Sequence, residues 1–215
     1  MSSNVLRLQQ VPRYKIVLAI IVAGLFAFPF VNDSRTLLIM FTQIFIFAAF
    51  AMSYDILLGY SGIVSFGHAM FFGIGAYTVG VSLKTFGPSI PVVLLAAAIT
   101  IVFTSIVSFL LGILTLRLKS HFFAMLTLAV SSLFVVLAEK WRSVTMGNDG
   151  FTFMIPELFR DRMMFYLVAL TFMVIIFLLL KRFTESPMGR VLQAIRENES
   201  RVESLGYKIM HYKVT

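Results

Sequence analysis

The sequence has no cysteine, a single tryptophan and only 13% charged residues among its 215. The missing cysteines exclude disulfides and thiolate metal sites, and they say little about compartment. The scarcity of charge excludes an ordinary soluble domain, in which roughly a quarter of residues are charged. Also absent are a Gly-x-x-x-x-Gly-Lys-Ser/Thr loop, a paired-His zinc spacing and a Gly-x-Ser-x-Gly turn. The chain therefore does not hydrolyse ATP by the P-loop route, and no motif in it calls for a catalytic centre, a metal or a cofactor. Acidic residues number 10 against 18 Lys and Arg, for a formal charge of +8. In a soluble protein that excess would suggest nucleic acid. In this composition it reads as basic residues retained in cytoplasmic loops, with no nucleic acid partner.

What the chain has in quantity is apolar surface: 59% apolar residues and a mean hydropathy of +0.93. The fold class is all-α, a polytopic transmembrane helical bundle in a lipid membrane. Six apolar runs approach the ~20 residues a bilayer core requires. They are Ile16–Phe30, Leu37–Leu58, Ile63–Leu83, Pro91–Leu116, Phe122–Ala138 and Met164–Leu180. The first and fifth are short, as tilted or partly interfacial segments are. Pro12, Asn32-Asp33-Ser34, Gly87-Pro88 and Gly147-Asn148-Asp149-Gly150 punctuate the pattern as turns. Arg7, Arg13 and Lys15 before the first run resemble a signal peptide, but no small-x-small cleavage site comes after it and further spans do. The run is read as a retained first span. The 12 Met residues read as packing.

Basic residues orient the bundle. A cytoplasmic N-terminus puts Arg7, Arg13, Lys15, Arg117, Lys119, Lys181, Arg182, Arg190, Arg196, Arg201, Lys208 and Lys213 inside. It leaves Arg35, Lys84, Lys140, Arg142, Arg160 and Arg162 outside, a two-to-one bias.

The stretch Gly59–Gly80 is crowded with small residues. Read as one helix, it places Ser61, Ser65, Ala69, Gly73, Ala76 and Gly80 on a shared face, with His68 at its edge and Phe72 interrupting it. Small residues let membrane helices approach closely, so this face is expected to pack or to line a path, with a bend or break at one of its glycines. Within the spans Asp55 and His68 are the clearly ionisable groups. For Asp55, at the end of its run, the readings are anchoring (a donor partner, or a cap through Ser61 or Gly62) and transport. For His68 they are one interhelical hydrogen bond and a polar group shown to a solute. Asn148, Asp149 and Gly150 read as a tight turn or as a polar lip meeting a solute or a delivery protein, and Trp141 as an interface anchor.

After Leu180 the composition changes to mixed charge. Residues 1–183 read as a transmembrane region and 184–215 as a cytoplasmic arm suited to a protein partner. Ser186-Pro187 predicts a helix start, Ser200-x-x-Glu203 a capping box, and Gly206 a helix C-terminus. The expectation is a helix, a kink around Asn198–Ser200, then a short helix ending at Leu205.

Three separated stretches, in order, carry a resemblance. Leu57-Leu58-Gly59-Tyr60-Ser61-Gly62, continuing through Ser65-Phe66-Gly67-His68-Ala69 to Tyr77, resembles the signature of LivM-type permeases. These are membrane subunits of bacterial branched-chain amino acid ABC importers, with urea and amide relatives. Residues Phe122 to Ala129 resemble a second family stretch, and Ser186 to Lys213 a third. The resemblance implies a bacterial inner-membrane permease of the ABC importer type, moving a small-molecule solute. It implies as partners two ATP-binding subunits, a second homologous permease and a periplasmic solute-binding protein. Gly59, Gly62, Ser65, Gly67 and His68 fall on the translocation path or permease packing. Arg190, Arg196, Glu197, Glu203 and Gly206 fall on an ATPase-coupling arm. Two departures, Asp55 for a neutral residue such as Asn and the glycine-poor loop Met146–Gly150, leave the solute open. Family members continue with further spans beyond the arm, so a fragment or truncated product is expected. Two other readings stand beside this one: a stand-alone ion-coupled transporter or channel using His68 and Asp55, and a scaffold whose arm binds a partner.

Overall fold

The computed structural model describes residues 13–32, 34–115 and 120–214. Arg7, Pro12, Asp33, Leu116, Arg117 and Lys119, which serve as turn, charge or span markers in the sequence, lie outside the described residues. The elements are α1 (Arg13–Val31), α2 (Arg35–Asp55), α3 (His68–Phe86), α4 (Ile90–Thr115), α5 (Ser120–Lys140), α6 (Arg142–Thr145), α7 (Glu157–Arg160), α8 (Arg162–Glu185), α9 (Pro187–Glu197), α10 (Glu199–Ser204) and α11 (Ile209–Val214). Among the described residues five helices are long and apolar enough to cross a membrane, and a shorter apolar helix, Ile16–Val31, precedes them.

The core lies where α2 and α8 run side by side. Leu38 and Phe45 of α2 are buried against Tyr166, Ala169 and Leu170 of α8. Lipid offers no hydrophobic gain for joining two apolar helices, so contact and hydrogen bonding must hold them. Tyr166 supplies both. Its ring lies 5.2 Å from that of Phe45, and its hydroxyl donates to the Leu25 carbonyl of α1 at 2.9 Å. Phe28 and Phe41 close the three-helix seam at 5.0 Å. The next hairpin, α3 to α4, turns at Gly87, whose φ of 90° favours glycine. Most of α4 is exposed, including Leu94, Ile101, Val102 and Leu110, and presents an apolar face to lipid or to a neighbouring protein.

The structure corrects three expectations. Ile63–Leu83 is not one helix: α2 runs on through a π-turn, Ile56–Tyr60, the chain then leaves helix, and α3 starts only at His68. Gly62 at φ 69° interrupts the spiral, so Ser61 and Ser65 stand outside the helix bearing Ala69, Gly73, Ala76 and Gly80. Asp55 does not cap the π-turn, because helical backbone continues past it and its side chain makes no cap hydrogen bond. The second arm helix is capped by Asn198 and not by Ser200. Asn198 Oδ1 accepts from the Arg201 N–H at 3.0 Å and from the Ser200 hydroxyl at 2.8 Å, which occupies the serine.

Other local signals hold. Ser186 Oγ accepts from the Gly189 N–H at 3.2 Å, and Gly206 adopts φ 87°. Residues Gly147–Asp149 form a 3₁₀ turn closed by Gly150. The short helix α11 lies beyond the arm helices expected from sequence.

Two variants at one position test the seam. Tyr166→Phe removes a single hydrogen bond, worth about 1 kcal/mol. Tyr166→Ala also empties a fully buried site, at about 3–5 kcal/mol. Thermal unfolding in detergent is expected to show a small drop for the first and a several-fold larger one for the second.

Candidate functional site

The break between Tyr60 and His68 is where the bundle becomes polar. Non-helical backbone at membrane depth needs partners that lipid does not offer. Each end of this segment finds them. Ser61 N–H donates to the Ile56 carbonyl at 3.2 Å, and Ile63 N–H to the Leu57 carbonyl at 3.1 Å. Further on, Phe66 N–H donates to Thr127 Oγ1 of α5 at 3.2 Å, while the Thr127 hydroxyl donates to the Ala124 carbonyl at 2.9 Å. Gly67 sits close enough to α5 that a Cβ there would lie 3.0 Å from the Thr127 carbonyl oxygen. His68, opening α3, places Nε2 2.9 Å from Ser53 Oγ of α2, with its ring 5.0 Å from Phe50 and 5.4 Å from Tyr54. Ser53 Oγ also lies 2.7 Å from the Phe50 carbonyl. With the hydroxyl proton directed there, Nε2 is the donor to Ser53. The interhelical bond is one of the two roles His68 was expected to take.

The other role is open to it as well. A cavity of about 820 Å³ lies between α2, the break, α3, α4 and α5. Ser53, Ser65, His68, Thr104, Ser108 and Thr127 give it hydroxyls and an imidazole; Phe71, Phe109 and Phe123 give it apolar wall. Among the described residues no carboxylate lines it. At one end stand His211 and Lys213 of α11, with Lys213 Nζ 2.9 Å from Glu199 Oε1 of α10. A chamber of this chemistry suits an amphipathic solute with hydrogen-bonding and apolar parts. A smaller, mostly apolar cavity of about 310 Å³ lies further along α3, beside Tyr77, Phe134 and Trp141.

Of the path residues expected from sequence, Ser65 and His68 line the chamber, whereas Gly59, Gly62 and Gly67 shape the backbone around it. Asp55 is exposed and does not line the chamber; its Oδ1 lies 2.6 Å from where a Cβ on Gly59 would be. The structure thus does not gather Asp55 and His68 into one ion site. Asn148, Asp149 and Gly150 are exposed on the connection between α6 and α7 and belong to neither cavity. In the arm, Arg190, Glu197, Glu203 and Gly206 are exposed, while Leu192, Ile195 and Val202 face inward. Arg196 is exposed as well, but its guanidinium donates to the Gly59 carbonyl. Among the described residues no group of His, Cys, Asp and Glu is placed to hold a metal ion.

Sequence reasoning missed Ser53, Thr104, Ser108 and Thr127. A signal existed for α4, where Thr100, Thr104, Ser108 and Gly112 recur every four residues. Ser53 is isolated, and Thr127 lies in the stretch Phe122 to Ala129 with nothing there to single it out; only the folding of the break against them gives them a role.

The absence of native cysteine makes the chamber directly testable. Ser105→Cys or Ser108→Cys is expected to react with a charged, membrane-impermeant thiol reagent. Ile99→Cys, at an exposed apolar position of the same helix outside the chamber, is expected to stay unlabelled.

Comparison with known proteins identifies the scaffold. Residues 36–215 match the family described as branched-chain amino acid transport system / permease component. The high-affinity branched-chain amino acid transport system permease protein LivM of Escherichia coli K12 is 27% identical over 235 residues, covering 94% of this chain and 53% of the relative. LivM of Salmonella typhimurium LT2 is 27% identical over 217 residues, covering 88% and 50%. The chain thus spans about half the length of the curated relatives it matches. No solved structure matches it. A multi-pass helical bundle with its break at the glycine-rich signature, matched along all but its first residues, belongs to the branched-chain amino acid transport permease family.

Proposed function

We propose that this chain is part of the permease of a bacterial ABC importer for branched-chain amino acids or related small polar solutes. The observation that carries the reading is the chamber: a cavity among membrane helices lined by hydroxyls, His68 and apolar side chains, with no carboxylate among the described residues, and reached by His211 and Lys213 of the arm. Seryl and threonyl oxygens can bind an α-amino or carboxyl group, and Phe71, Phe109 and Phe123 suit an aliphatic side chain. The names of the relatives support that substrate class.

The arm is the energy input. It continues α8 through a tight bend at Ser186, where a Cβ on Gly189 would lie 2.6 Å from the carbonyl oxygens of Phe183 and Thr184. Glycine therefore lets α9 fold closely against α8, and a push on α9 moves α8 with it. The exposed charges Arg190, Glu197 and Glu203 are the contacts offered to an ATP-binding subunit, with Gly206 shaping the turn after α10. Two such subunits, a homologous second permease on the exposed apolar faces and a periplasmic solute-binding protein complete the assembly. The basic-residue bias supports an inner-membrane orientation with the N-terminus and arm in the cytoplasm. Asn148, Asp149 and Gly150 then face the periplasm, where the binding protein delivers solute.

Charge reversal tests the arm. In the assembled transporter, Arg190→Glu and Glu203→Arg are expected to lower ATP-dependent uptake at least tenfold and to reduce recovery of the ATP-binding subunits. Proton-driven uptake by the chain without those subunits would instead establish a stand-alone transporter.

A further inference from the structure

We propose that Arg196 is the joint through which the arm acts on the break, a positioning residue that reaches from the exposed arm to the Gly59 carbonyl and not a contact for the ATP-binding subunit. The inference rests on the coupling role proposed for the arm, and it assigns one member of that charged set a different job from the others.

Three observations on separate atoms converge. The Arg196 guanidinium donates to the Gly59 carbonyl, in the last turn of the π-segment, where helical carbonyls run out of partners of their own. The aliphatic stem of the same side chain fills the space beside Gly62: a Cβ there would lie 2.9 Å from Arg196 Cγ. Gly62 also has φ 69°, so both its backbone and its contact with the arm call for glycine. One side chain thus holds the two glycines that bracket the end of α2 and the start of the irregular segment.

The break is connected onward to the chamber. Five residues after Gly62, Gly67 is pressed against Thr127, and the next residue, His68, is tied to Ser53. On the arm side, Leu192 and Ile195 are buried, and Ser186 joins α9 to α8 by accepting from the Gly189 N–H and donating to the Phe183 carbonyl. A displacement of α9 therefore reaches the chamber through Arg196, since Gly59 and Gly62 are where its side chain grips the segment. Arginine suits this use because its planar fork holds direction while its stem packs.

The test uses the complete transporter, reconstituted with its ATP-binding subunits in proteoliposomes, and reads uptake, ATP hydrolysis and subunit recovery together. Arg196→Met keeps the stem and removes the donor; Gly62→Ala leaves every arm charge in place and disturbs the grip. Both are expected to retain subunit recovery and ATP hydrolysis within about twofold of the parent while uptake falls at least tenfold. Arg196→Lys, which keeps a donor, is expected to recover part of the loss. Combining Arg196→Met with Gly62→Ala is expected to cost little beyond either alone, as for two residues in one contact. Unchanged uptake in either single variant would overturn the joint. So would loss of ATP-binding subunits from an inserted Arg196→Met chain, which would make Arg196 an ordinary docking contact and leave the permease assignment intact. A parent transporter whose uptake ignores ATP would instead sink the permease assignment itself.

Discussion

Every backbone N–H and C=O that leaves helical pairing inside a bilayer must be given a partner by the protein. That requirement governs the segment between Tyr60 and His68. Its partners come from the adjoining end of α2 and, from far along the chain, from α5 and α9. The hydroxyls and imidazole that sit around irregular backbone in lipid also make a surface on which a polar solute can dissolve. Satisfying the break and building a chamber are thus one structural problem.

The rest of the bundle supports this arrangement at two levels. The seam of α1, α2 and α8 is buried, aromatic and tied by the Tyr166 hydroxyl. The chamber side, made by α3, α4 and α5, is looser and leaves apolar residues of α4 and α5 exposed. The arm shows the same division. Its apolar face is buried, most of its charges face outward, and Arg196 alone among the expected coupling residues reaches back to the signature glycines.

Residues whose role depends on their immediate neighbours were readable in the chain. Ser186-Pro187 gave a helix start, Gly206 a left-handed turn, and Gly147 to Gly150 a tight loop, because capping and φ preferences are decided within four residues. Apolar length marked the spans for a similar reason, since bilayer thickness sets it from outside. The small stripe from Ser61 to Gly80 misled as a single face, because spacing of three and four assumes an unbroken spiral, whereas the expected break at one of its glycines is found at Gly62. Ser200 misled in a smaller way, with Asn198 two residues earlier offering the better acceptor.

The chain's own letters determined that it is a membrane bundle of about six apolar segments with a charged appendage, and which short stretches carry its family signature. Those properties are sums or local patterns. Only the folded arrangement decided that Gly62 interrupts the spiral, that Ser53 and Thr127 face a chamber, and that Arg196 reaches the Gly59 carbonyl. Each of those outcomes depends on a hydrogen-bond partner or a contacting atom dozens of residues away, and no window along the sequence contains both ends of such a contact.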